Sequence, residues 1–203
     1  MYHFTIPMAL MDFVPVILFG ITAVILMKDL ACRMGKGIYA IFAAGTIQVF
    51  LAGFLKAAWK LLYAANICDF VALEQMFLPV NSIGLLLAGL GMIGMLCRKP
   101  KDSLVFSAAP VVYSGSVLFI LMMVVGLGGM CAVLSVLAAR MKKKGAIALF
   151  VLSFLFAMGM GYLSSQDATL AWVNWAEQSI NTLSQGCLMW GVLLLHKAGL
   201  ETA

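Results

Sequence analysis

Apolar residues dominate long stretches of the chain, at 13–27, 38–55, 80–96, 117–139 and 146–163, and polar turns separate them. These runs approach or exceed the roughly 18–20 residues that a helix needs to cross about 30 Å of hydrocarbon. A further helix is expected after Asp167 or Thr169. It is polar in its first half, through Glu177, Gln178, Asn181 and Gln185, and apolar towards His196. The pattern therefore predicts spanning helices joined by short connections.

Composition strengthens this reading. Of the 203 residues, 64% are hydrophobic and only 10% charged, with a mean hydropathy of +1.08. Soluble domains use roughly 45–50% apolar and 25% charged residues, and a soluble fold of this size has no interior for so much apolar surface. Residues 1–11 hold no Lys or Arg, and no Ala-x-Ala site closes the first run. Helix 1 is thus expected to remain rather than to be cleaved as a signal peptide.

The chain resembles itself. Lys36-Gly37 recurs as Lys144-Gly145, Ala40-Ile41-Phe42 as Ala148-Leu149-Phe150, and Gly53-Phe54-Leu55 as Gly161-Tyr162-Leu163. Glu74-Gln75 is matched to Glu177-Gln178 across a shorter connection, with Asn81-Ser82 and Asn181-Thr182 following. Such duplications are frequent in transporters.

Charge then sets the number of crossings. Three helices followed directly by three would put Arg140, Lys142, Lys143 and Lys144 on the opposite side from Arg98, Lys99 and Lys101. That violates the positive-inside rule. A short crossing at 103–116 gathers these clusters with Lys28, Arg33, Lys36 and Lys197 on one side, and leaves Asp12, Asp69, Glu74, Asp167 and Glu177 on the other.

The expectation is an all-α integral membrane protein, a seven-helix bundle in a 3+1+3 parallel repeat. The first unit covers 1–101, the linker helix 102–117 and the second unit 118–203, all in one membrane domain. The alternative is six helices in a 3+3 inverted repeat. The linker is thin, since about fourteen residues rise only about 21 Å, and Pro110 interrupts it. SWEET sugar transporters follow the same parallel plan, but their Pro-Gln motif is absent here, so the likeness is one of plan only.

Ionisable and amide side chains inside a span are costly, and so they become candidates for function. Glu74, Gln75 and Asn81 on the third predicted helix share a face, as do Glu177, Gln178, Asn181 and Gln185 on the last. Two such faces converging near the bundle centre could bind a cation, carry a proton or hold polar solute groups. The competing explanation for the acids is helix-dipole complementation, with Asp69 as an N-cap for the third helix and Asp167 or Thr169 for the last. The competing explanation for the amides is interhelical hydrogen bonding.

Trp172 and Trp175 are placed at the outer mouth, either as interfacial anchors or as a stacking surface for a flat or cationic ligand. Lys56 and Lys60 stand one turn apart around Trp59. They snorkel to the headgroups, pair with Asp69 or Glu74, or attract an anionic group, and Lys56 is the deeper. Pro79, between Glu74 and Asn81, can open a kink beside the polar face. The glycines, such as Gly84, Gly89, Gly126 and Gly161, are expected to let helices approach closely.

Several classes are not supported. The five cysteines form no CxxC pair, and the two histidines, His3 and His196, lie at opposite ends of the chain. No metal site or cofactor is therefore expected. No Gly-x-Ser-x-Gly elbow is present, so catalytic residues and enzymatic activity are not expected either. The net charge of +5 comes from clusters at helix ends, which argues for membrane orientation and against a nucleic-acid partner.

What remains is a small transporter or facilitator for a small polar or cationic solute, with its site between the third and seventh helices. The alternative is a non-transporting sensor or subunit of a larger membrane complex; an ion channel or a lipid enzyme fits less well. The expected partners are the lipid bilayer, a small-molecule or ion substrate, and either a second copy or a lateral membrane partner. The expected location is the bacterial inner (plasma) membrane, with the amino terminus outside and the carboxyl terminus cytoplasmic.

Overall fold

The computed structural model describes residues 5–97, 116–163 and 171–201. Among them the chain is helical, without strands. Its elements are α1 (Ile6–Met11), α2 (Phe13–Leu30), α3 (Lys36–Ala64), α4 (Val71–Cys97), α5 (Ser116–Arg140), α6 (Lys144–Leu163) and α7 (Ala171–Lys197). The linker helix expected at 103–116 lies almost wholly outside the described residues.

Among the described residues, five segments are long and apolar enough to cross a membrane: Ile6–Leu30, Lys36–Ala64, Val71–Cys97, Val117–Arg140 and Lys144–Leu163. Their length and composition mark a multi-pass membrane bundle. The long α7 does not share that composition, because Asn174, Glu177, Gln178, Asn181 and Gln185 interrupt its apolar character.

The first of these segments is broken in the middle. Pro15 has no N–H to offer the carbonyl of Met11, and its ring crowds that carbonyl. The helix accordingly stops at Met11 and restarts at Phe13, leaving Asp12 at the break, buried. The sequence reading began this span at Phe13 and put Asp12 on the outer surface. The correction is that α1 extends the apolar run towards the amino terminus, which places Asp12 inside the candidate span Ile6–Leu30.

The helices close into a ring in which α2 packs on α3, α3 on α4, α4 on α5, α5 on α6, α6 on α7, and α7 back on α2. Glycine sets the closest approaches. A Cβ at Gly89 or Gly126 would collide with the backbone of the facing helix, and so would one at Gly45, which is why these positions bring α3, α4 and α5 together without side chains between them.

The register of contacts gives directions. Gly45 meets Gly84, Phe42 meets Gly91 and Ile38 meets Gly94, so α3 and α4 are antiparallel. Phe150 meets Gly191 and Ser153 meets Ser184, so α6 and α7 are antiparallel as well. Along α4 and α5, in contrast, Asn81 reaches Met123, Leu85 meets Gly126 and Ile93 meets Gly129. Positions rise together, and these two helices are parallel.

Polarity is distributed as lipid demands. Ile17, Ile21, Leu51, Leu121, Val151 and Leu155 face outward, whereas Thr22, Thr46, Ser82, Ser153 and Ser184 are buried. The buried hydroxyls are satisfied by carbonyls: Thr22 donates to Leu18, Thr46 to Phe42, Ser82 to Leu78, and Ser184 to Ser153. A packed core fills the end of the ring near the basic turns, with Leu30, Phe42, Met92, Leu134, Phe150 and Leu195 at its centre. That end is tied across the α2–α7 seam. His196 Nδ1 lies 2.9 Å from both carboxylate oxygens of Asp29, and Arg33 donates to the Leu200 carbonyl at 3.0 Å.

Candidate functional site

In the other half of the ring the helices part around a cavity of about 510 Å³. Its polar wall is made by Asp12 at the α1–α2 break, Lys56 on α3, and Glu177, Gln178 and Asn181 on α7. Its apolar wall includes Phe77 and Leu78 on α4, Ile120 and Met123 on α5, and Met158 on α6. A smaller cavity of about 120 Å³ adjoins it, sharing Asn181 and Met123 and adding Asn81, Leu85 and Gln185. The additional residues lie about one turn nearer the basic end, so the two cavities follow one another along the bundle towards the packed core.

Each polar group has an identifiable position. Asp12 Oδ2 pairs with Lys60 Nζ at 2.8 Å, with both side chains almost fully enclosed. Asp12 Oδ1, also buried, makes no hydrogen bond among the described residues. Lys56 Nζ lies 4.1 Å from the centroid of the Phe77 ring, a cation–π contact. It is within electrostatic reach of Lys60, Glu177, Asp12 and Glu74. Asn81 Nδ2 points to the Met123 sulfur at 3.9 Å, a weak acceptor. Gln185 Oε1 is buried without a hydrogen bond among the described residues.

Pro79 lies inside α4, between Phe77 and Asn81, and removes the N–H that would bond the Gln75 carbonyl. The helix continues through it, and the residues on either side face the cavities.

The sequence candidates divide accordingly. Lys56, Glu177, Gln178 and Asn181 line the larger cavity, and Asn81, Asn181 and Gln185 the smaller. Glu74, Gln75, Trp172 and Trp175 line neither. Glu74 is half-buried and Gln75 exposed; Trp172 and Trp175 are 63% and 40% exposed, outward-facing positions that suit interfacial anchors.

The expected meeting of Glu74 with Glu177 is thus replaced by another: Glu177 shares its cavity with Asp12. Lys60 pairs with Asp12, not with Asp69 or Glu74. Asp69 instead accepts a hydrogen bond from the Trp59 indole at 3.2 Å, while α4 starts two residues later. The possible caps Asp167 and Thr169 lie outside the described residues.

Asp12 is the residue that sequence reasoning missed. The available signal was an acid inside one apolar run from Ile6 to Leu30, three residues before a proline. Among the described residues, no group of three or more His, Cys, Asp or Glu comes together that could hold a metal ion. Compared with protein-family models, curated proteins and solved structures, the chain matches none.

Proposed function

We propose that this protein is a small membrane transporter or facilitator for a polar solute, without enzymatic activity. The observation that carries this reading is the 510 Å³ cavity walled by charged and amide side chains, inside a bundle whose outer surface is apolar. Intramembrane ionisable groups are expensive, and they persist where they line a solute path. The closed core at the basic end and the cavity at the opposite end fit one side of an alternating-access cycle.

The seven-crossing 3+1+3 plan belongs to the same proposal. It is supported by the parallel relation of α4 and α5, because a chain that leaves α4 at one end of the bundle enters α5 at the other. A duplicated unit is supported by paired contacts: Phe42 sits on Gly91 as Phe150 sits on Gly191, and Gly45 faces Gly84 as Ser153 faces Ser184. In this register Asn81 corresponds to Asn181, and Glu177-Gln178 correspond to Phe77-Leu78 rather than to Glu74-Gln75. The positive-inside rule then orients the protein in an inner (plasma) membrane with its amino terminus outside and its carboxyl terminus in the cytoplasm.

Cysteine accessibility in cells tests both parts. On a background lacking native cysteines, Ser116→Cys should label from outside and Lys143→Cys only after permeabilisation. Asn181→Cys should react with a small hydrophilic thiol reagent. Lys143→Cys labelled from outside would establish six crossings, and an inert Asn181→Cys would remove the solute path.

A further inference from the structure

The ionisable groups at the cavity engage one another. Asp12 pairs with Lys60 at 2.8 Å, and Lys56 lies within electrostatic reach of Lys60, Glu177, Asp12 and Glu74. Glu177 and Lys60 take part in further interactions within the protein. At the cavity the acids Asp12 and Glu177 balance Lys56 and Lys60 in formal charge. A solute with a net charge would have to displace one of these contacts as well as shed its own hydration.

The amides are held differently. Gln178 is only 6% exposed and lines the larger cavity, yet neither its side chain nor that of Asn181 makes a hydrogen bond among the described residues. Asn81, equally buried, offers its Nδ2 only to the Met123 sulfur. Gln178, Asn181 and Gln185 share one face of α7, Asn181 borders both cavities, and Asn81 lines the smaller one with it. A buried amide without a partner is costly. Each carries an acceptor and two donors, and a neutral group that both donates and accepts satisfies it best.

We infer that the cavity takes an uncharged amphiphile, a molecule with a carboxamide or hydroxyl head and a short apolar tail. The head bonds Gln178 and Asn181, and the tail lies against Phe77, Leu78 and Met123 on the opposite, apolar wall. From Asn181 the head passes to Asn81 and Gln185, about one turn nearer the closed core, without leaving amide partners. The volume of 510 Å³ falls within the roughly 300–1,000 Å³ of ordinary small-molecule sites. This inference rests on the transport reading of the same cavity and narrows its solute.

The experiment is calorimetric binding to the purified full-length protein in nanodiscs, with empty nanodiscs subtracted. Hexanamide and 1-hexanol are compared at neutral pH with hexylammonium and hexanoate, which keep the tail and charge the head, and with acetamide, which keeps the head alone. At least one of the two neutral hexyl probes should bind at least about tenfold more tightly than both charged probes and than acetamide. Gln178→Leu and Asn181→Leu should each weaken that binding at least about fivefold in protein that keeps its thermal transition.

Hexylammonium or hexanoate binding as tightly as the neutral probes, or neither neutral probe binding to folded protein, overturns the inference. So does parent-like binding by both folded leucine variants. The ranking of probes on the parent protein stands as a test even where a variant does not fold. Reactivity of Asn181→Cys is read separately. If that site is accessible while neutral amphiphiles do not bind, the solute path stands and only its assigned solute falls.

Discussion

Asp12 and Lys60 meet at 2.8 Å with side chains only 6% and 5% exposed, and they join the break in the first span to the far part of α3. Removing one member of such a pair leaves the other charge buried and uncompensated, which typically costs about 3–5 kcal/mol. Replacing both by apolar or neutral groups of similar size is often harmless. Lys60→Met alone should therefore lower thermal stability in detergent severely, and Asp12→Asn combined with Lys60→Met should recover most of the loss. A single mutant as stable as the parent would mean that the pair contributes nothing to holding α1–α2 on α3.

The parallel contact of α4 and α5 can be tested by cross-linking. With native cysteines removed, Asn81→Cys paired with Met123→Cys and Ile93→Cys paired with Gly129→Cys should both bridge on mild oxidation or with a short bis-thiol reagent. An antiparallel pair of helices could satisfy one of these combinations but not both, so a single positive pair would overturn the assigned direction.

Glycines separate into those at helix contacts and those in open positions. Gly126→Ala and Gly89→Ala force a methyl into the opposing backbone and should destabilise the bundle by about 1–3 kcal/mol or more. Gly159→Ala and Gly145→Ala meet nothing within 4 Å and should be neutral or slightly stabilising, since alanine favours helix by up to about 1 kcal/mol. Size-exclusion profiles after heating distinguish the two groups.

Asp29 is 2% exposed and carries His196 on both its oxygens. His196→Ala leaves that carboxylate without its partner across the α2–α7 seam and should loosen the basic end of the ring. A cysteine at Gln185 should then react faster with a reagent supplied at the basic end of the bundle by roughly tenfold, the ratio for about 1.4 kcal/mol of lost closure. An unchanged rate would assign the contact to folding alone.

Helix-forming runs were plain in the sequence because lipid requires apolar length, and each long helix described here coincides with a run or with the polar stretch after residue 170. The polar face of α7 was equally plain, since Glu177, Asn181 and Gln185 recur at helical spacing. The partner of Glu177 was not. Glu74-Gln75 imitates Glu177-Gln178 in letters, but Glu74 and Gln75 line neither cavity while Glu177 and Gln178 line the larger one, and letter matching carries no information about packing. Asp12 was hidden for another reason: its burial depends on the short α1, which became visible only once Pro15 was seen to break the helix rather than to begin it.

The closed ring has a consequence for how the protein is made. Of the described helices α7 is made last, and it packs against both α6 and α2. Until it arrives, the wall bearing Asp12 and Lys56 has nothing beside it but acyl chains or a membrane chaperone. Truncation before residue 171 should therefore produce a chain that enters the bilayer yet is cleared by intramembrane quality control, so that biogenesis depends on the most polar of the long helices described.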